Sequence, residues 1–93
     1  MAPENRCTAT LRILNRLGLH ARPAMSFVDM ANQFQSAIHV RRDSETVDGK
    51  SIMQMMMLGA TQGTELHLEA VGADAEHAVA QLIALVERKF DEE

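Results

Sequence analysis

Leu17-Gly18-Leu19-His20-Ala21-Arg22-Pro23-Ala24 is the stretch at which the chain changes its hydrophobic period. Before it, Cys7, Ala9, Leu11 and Ile13 alternate with Thr8, Thr10 and Arg12, the pattern of a half-buried strand over residues 7–14. After it, apolar residues fall at positions 24, 27, 28, 31 and 34, the stripe of an amphipathic helix from 21 to about 34. Pro23 fits the first turn of that helix, where a missing N–H leaves no helical bond unmade. Residues 15–19 connect the two elements. His20 and Arg22 therefore stand at a helix N-terminus, where free amides and the positive end of the dipole favour an anion. Arg22 adds a fixed charge whose fork fits phosphate oxygens. A neutral imidazole is a competent nucleophile near pH 7, and its nitrogen leaves well enough for onward transfer. These residues suit a histidine that takes up a phosphoryl group and releases it. The plainer alternative is an exposed histidine capping a helix.

Working outward, residues 37–42 read as a second strand, with Ile38 and Val40 inward and His39 and Arg41 outward. Asp43-Ser44-Glu45 makes a turn into a short third strand at Thr46 and Val47, which Asp48-Gly49 ends. Ser51 is a natural N-cap for a short helix over 52–58, and Gly59 is placed to stop it. A fourth strand follows the turn at Thr61-Gln62-Gly63, with Leu66, Leu68 and Ala70 inward and Glu65, His67 and Glu69 outward. Gly72 breaks it. Asp74 is expected to cap a last helix reaching about residue 90, its stripe made of Ala75, Ala78, Val79, Leu82, Ile83 and Val86. The ending Asp91-Glu92-Glu93 lies at that helix's negative end, so a frayed tail is expected. The order βαββαβα predicts an α+β fold, an open-faced β-sandwich with a four-stranded antiparallel sheet covered on one face by three helices.

The chain has 93 residues, 46% of them hydrophobic, enough for one domain over 1–93 with a single core. Met, Leu, Val, Ile and Ala must fill that core, because Trp and Tyr are absent. Cys7 is the sole cysteine, so no internal disulfide is possible and a reducing, cytoplasmic setting is expected. There is neither a charged-then-apolar leader nor an apolar run of about 18 residues, which argues against export and membrane spanning. A net charge of −4 argues against nucleic-acid binding.

Residues 17–24 resemble the active-site signature of HPr, the phosphocarrier family of the bacterial phosphoenolpyruvate-dependent phosphotransferase system (PTS). Gly49-Lys50-Ser51-Ile52-Met53, followed by Leu58-Gly59, resembles that family's regulatory serine segment. The resemblance implies an HPr-like fold and a monomeric phosphoryl carrier rather than an enzyme. His20 would accept the phosphoryl group from phosphorylated enzyme I and pass it to an enzyme II A-type domain, with Arg22 at the phosphoryl site. It also implies a docking surface of Ala21, Arg22, Ile52, Met53 and Met56, and phosphorylation of Ser51 by an HPr kinase/phosphorylase. No cofactor or metal is implied.

The short helix is rich in methionine, at positions 53, 55, 56 and 57. A two-layer fold cannot bury Ile52, Met53, Met56 and Met57 together, and exposed flexible methionines make adaptable binding surfaces. Met55 and Leu58 are left for the core. His39 and His67 are expected as ordinary outward strand residues, since two imidazoles without a converging carboxylate make a poor metal site; His77 should face solvent. The first helix carries Asp29 and no lysine, and with Met25 and the Phe90-Asp91-Glu92-Glu93 ending it looks like the nitrogen-branch paralogue, NPr. The serine segment looks like ordinary HPr, so both branches stay open. A different class of function is a regulatory module that docks on other proteins, in which His20 would be dispensable; the pairing of His20 with Arg22 favours the carrier.

Overall fold

The computed structural model describes residues 5–92. Its elements in chain order are β1 (Arg6–Arg12), α1 (Ala21–Ala31), β2 (Ala37–Arg42), β3 (Glu45–Asp48), α2 (Ile52–Met57), β4 (Glu65–Val71) and α3 (Ala75–Glu87), closed by a 3-10 turn at Lys89–Asp91. The strands form one antiparallel sheet in the order β1-β4-β2-β3. Register puts Val40 and Ala9 opposite Leu68, and Ile38 opposite Ala70, so the alternation of each strand sends its apolar residues to one face. Leu11, Ile38, Val40, Val47, Leu66, Leu68 and Ala70 are buried there under the helices. Ala24, Phe27, Val28 and Ala31 of α1, Met55 of α2, and Ala78, Val79, Leu82, Leu85 and Val86 of α3 complete the core. Each of the larger side chains contributes about 1.5–3 kcal/mol by leaving water. The other sheet face is open and polar. There Arg6 pairs with Glu69, Arg12 with Glu65 at 3.4 Å, and His39 and His67 each lie 3.7 Å from a β4 glutamate.

The helix ends differ from the sequence expectation for identifiable reasons. α1 stops at Ala31, and Phe34 lies in the turn beyond, where Lys50 Nζ donates to its carbonyl at 2.7 Å. α3 stops at Glu87, and its buried stripe takes Leu85 where periodicity offered Ile83, which is only half-buried. β1 stops at Arg12; Ile13 is buried beyond it, and Leu14 is exposed. Asp74 holds the N-cap position of α3 but makes no cap bond. Its carboxylate instead accepts from the Ser36 hydroxyl at 2.5 Å and from the amides of Gln35 and Ser36, both at 2.9 Å. It thereby fastens the start of α3 to the turn before β2.

Those bonds, the Ser36 hydroxyl foremost and the Gln35 amide next, outweigh desolvation and lower the Asp74 carboxyl from 3.8 to about 2. A folded pKa below the unfolded one gives stability that is present above about pH 4 and lost as the pH falls towards 2. Asp74→Asn is therefore expected to lower the melting temperature by several degrees at pH 7 and to flatten its fall on the acid side. Thermal melts at pH 7 and pH 3 check this, and superimposable curves would make Asp74 a spectator.

Candidate phosphoryl-transfer site

The loop from β1 to α1 is built backwards from two fixed points. Gly18 adopts φ +73°, and a Cβ there would come within 2.7 Å of the Ala60 carbonyl oxygen, so only glycine fits. Leu19 N donates to that same carbonyl at 2.9 Å, tying the loop to the chain just past α2. His20 follows in extended backbone as the N-cap of α1, its carbonyl accepting from Ala24 N at 3.0 Å. Its side chain makes no cap bond, so the plain capping reading of His20 does not hold. Pro23 is buried in the first turn, which carries no acidic residue, and the amides of Ala21 and Arg22 have no acceptor among the described residues.

The imidazole is instead engaged from the far end of the chain. Nε2 of His20 lies 2.8 Å from Oε2 of Glu92, while Oε1 of Glu92 accepts from Asn15 Nδ2 at 2.8 Å. Asn15 is fully buried, and Nδ2 also donates to the Gly18 carbonyl at 2.6 Å. Burial acts to raise the Glu92 carboxyl, but the hydrogen bonds from Asn15 and His20 and the nearby positive charge of Arg22 outweigh it and hold the carboxyl below its ordinary value. An ionised carboxylate can only accept, so Nε2 carries the proton facing it. Nδ1 has no partner among the described residues.

The frayed tail expected from the sequence is thus corrected for Asp91 and Glu92, while Glu93 lies outside the described residues. Phe90 is buried, Arg88 Nε donates to Asp91 Oδ1 at 3.0 Å, and Glu92 N donates to the Lys89 carbonyl at 3.1 Å. Lys89, Phe90 and Asp91 all have positive φ, between +56° and +60°, which turns the chain back towards His20. Asn15 and Glu92 are the site residues that sequence reasoning missed. The only local hint was an aromatic residue, Phe90, inside an otherwise acidic ending.

Of the residues singled out in the sequence, His20, Ala21 and Arg22 stand together at the start of α1. Arg22 is exposed and makes no hydrogen bond or ion pair with a described residue. Ser51 caps α2 as expected, its hydroxyl accepting from Gln54 N at 3.2 Å. Ile52 packs half-buried against the core, Met55 and Leu58 are buried, and Met53, Met56 and Met57 are exposed, as is Leu17 in the His20 loop. Ser51 makes no direct bond to the His20 cluster; the Leu19–Ala60 bond is what joins the His20 loop to the α2 region. A concavity of about 520 Å³ lies on the open sheet face, lined by Thr8, Thr10, His39, Arg41 and His67, and not at His20. The His20 side chain is 38% exposed and stands at the surface. Among the described residues no cluster of His, Cys, Asp or Glu could hold a metal ion, and no helix is long and apolar enough to cross a membrane.

The family model of the PTS HPr component phosphorylation site matches residues 7–88. The chain belongs to the HPr family. It is 46% identical over 83 residues to the phosphocarrier protein HPr of Pseudomonas aeruginosa, covering 88% of this chain and 92% of that one. It is 43% identical over 82 residues to the phosphocarrier protein NPr of Proteus mirabilis, covering 87% and 91%. A crystal structure of HPr from Thermoanaerobacter tengcongensis superposes with a TM-score of 0.91 at 47% identity, covering 94% of this chain and 98% of that one. HPr proteins are phosphocarriers and not catalytic enzymes, and membership implies phosphotransferase-system partners such as enzyme I and enzyme II.

Proposed function

We propose that this HPr-family chain accepts a phosphoryl group from phosphorylated enzyme I on Nδ1 of His20. It then passes the group to an enzyme II A-type domain, in sugar uptake or in a nitrogen-type regulatory branch. The observation that supports this most is the engagement of Nε2 by Glu92, which leaves the Nδ1 lone pair as the nucleophile beside the start of α1. In the forward step the Nδ1–P bond forms as the donor's P–N bond breaks, and the proton on Nε2 stays in place. The ring then carries a positive charge facing the Glu92 carboxylate. The open amides of Ala21 and Arg22 and the Arg22 guanidinium are suited to the phosphoryl oxygens. Arg22 must hold them moderately, because a phosphoryl group bound too tightly would not move on.

In this reading the chain is a cytoplasmic, monomeric carrier built as one domain, the setting in which its lone Cys7 stays reduced. Exposed Met53 and Met56, half-buried Ile52, and Ala21 with Arg22 form the docking surface in this reading. Ser51 is the regulatory position, taken by an HPr kinase/phosphorylase. A phosphate there adds a charge of about −1.5 to −2 at a helix start that tolerates an anion.

Enzyme I, labelled phosphoenolpyruvate and the purified chain test the reading, with acid-labile, alkali-stable label as the expected product. Arg22→Ala should slow label uptake about tenfold, with the melting temperature shifted by no more than a few degrees. An unchanged rate would demote Arg22 to an ordinary surface charge. Ser51→Asp should keep its stability and raise the carrier concentration needed for half-maximal rate severalfold, by charge against an acidic partner surface. Identical concentration curves would leave Ser51 as a cap only.

A further inference from the structure

We infer that Glu92, held by Asn15, is a positioning residue that reserves Nδ1 of His20 for the phosphoryl group by occupying Nε2. The inference rests on His20 being the phosphoryl acceptor. An unrestrained imidazole offers either nitrogen to an electrophilic phosphorus, and the two products differ in stability and in the direction the group points. Here the choice is removed by geometry. The carboxylate spans two donors, Asn15 Nδ2 and His20 Nε2, each at 2.8 Å, so it cannot swing off the ring without abandoning a buried amide. Asn15 is anchored in turn by its 2.6 Å bond to the Gly18 carbonyl, in the loop that carries His20. The relay therefore ties the angle of the imidazole to the backbone on which it is mounted.

The tail is shaped for this contact. Three consecutive non-glycine residues, Lys89, Phe90 and Asp91, are in left-handed backbone, a conformation that persists only where the surroundings enforce it. Burial of Phe90 supplies one restraint, and the Glu92 bonds supply the other. The side chain of Glu92 is only 14% exposed, so water does not compete freely for its oxygens. Arg22 contributes charge to the same carboxylate without bonding it, which leaves its guanidinium free for the phosphoryl oxygens.

A small phosphoryl donor reads the nitrogen choice without any protein partner. With phosphoramidate, an imidazole nitrogen attacks phosphorus, the P–N bond of the reagent breaks, and ammonia leaves. Nitrogen-15 and phosphorus-31 spectra of the intact chain then assign each product to Nδ1 or Nε2 of each histidine. In the wild type, His20 should carry its phosphoryl group on Nδ1 alone. In Glu92→Ala the ratio of Nδ1 to Nε2 product at His20 should fall about tenfold or more, the factor carried by one charge-assisted hydrogen bond. Glu92→Gln keeps the shape but has a single accepting oxygen, and its ratio should fall between the two. Exposed His77 is the internal reference, and its ratio should not move. A purely structural role for Glu92 would shift the melting temperature and leave the His20 ratio alone. Wild-type His20 phosphorylated on Nε2, or a ratio indifferent to residue 92, would overturn the inference. Failure of the carrier reading is distinguishable, because enzyme I would then leave His20 unlabelled while the phosphoramidate ratio still responded to residue 92.

Discussion

His20→Ala will fold like the parent chain and accept no phosphoryl group from enzyme I. The side chain is 38% exposed and its one side-chain hydrogen bond among the described residues is to Glu92, so its loss removes that bond and no fully buried group. A surface change of this kind shifts the melting temperature of a chain this size by no more than a few degrees. The chemistry has no substitute, since nothing else at the start of α1 offers a nucleophile. His39, His67 and His77 lie on the open sheet face and on α3, away from the Ala21 and Arg22 amides and without an arginine fork placed as Arg22 is. Label transfer from phosphoenolpyruvate through enzyme I should drop to background. Acid-labile label persisting on the variant would mean that another residue is the acceptor.

Gly18→Val should damage fold and site together. Its φ of +73° is strained for any residue with a Cβ, and more so for a β-branched one. The added Cβ would sit 2.7 Å from the Ala60 carbonyl oxygen and 2.9 Å from Thr61 Cα. Both are backbone atoms, so relief requires the loop itself to move. Left-handed strain alone costs about 1–3 kcal/mol. For a chain of this length the melting temperature should therefore fall by about 10 °C or more. The displaced loop carries the carbonyl that anchors Asn15, so phosphoryl uptake should slow beyond what the unfolded fraction explains. Circular dichroism melts and label uptake at a temperature where the variant is folded separate the two effects. A melt unchanged by the substitution would contradict the close approach described.

Much of this was legible in the chain because it is local. Ile38 and Val40, and Leu66, Leu68 and Ala70, declare their strands by alternation alone, and β2 spans the residues its pattern indicated. Ser51 and Gly59 mark the short helix between them by their chemistry, with Gly59 at φ +58°. His20, Arg22 and Pro23 announce a helix start by order and type. What stayed hidden depends on contacts between distant parts of the chain. Glu92 meets His20 across 72 positions, and no period or spacing links them. Asp74 looked like a helix cap because aspartate there usually is one, yet the Ser36 hydroxyl and the Gln35 amide won its carboxylate. Asn15 read as a loop residue because nothing local shows that it is buried. The tail departs from its expectation for a related reason: the helix dipole argues against acidic residues at its end only if the helix continues to them. α3 ends at Glu87, and the backbone then reverses hand.

The most direct measurement is the nitrogen-15 spectrum of the wild-type chain after phosphorylation by enzyme I and phosphoenolpyruvate. The chain has four histidines, and the spectrum shows which ring, and which nitrogen of that ring, gained phosphorus. The account predicts one phosphoryl group, on Nδ1 of His20, with Nε2 still protonated. Phosphorus on His39, His67 or His77, or on none of the four, would contradict it.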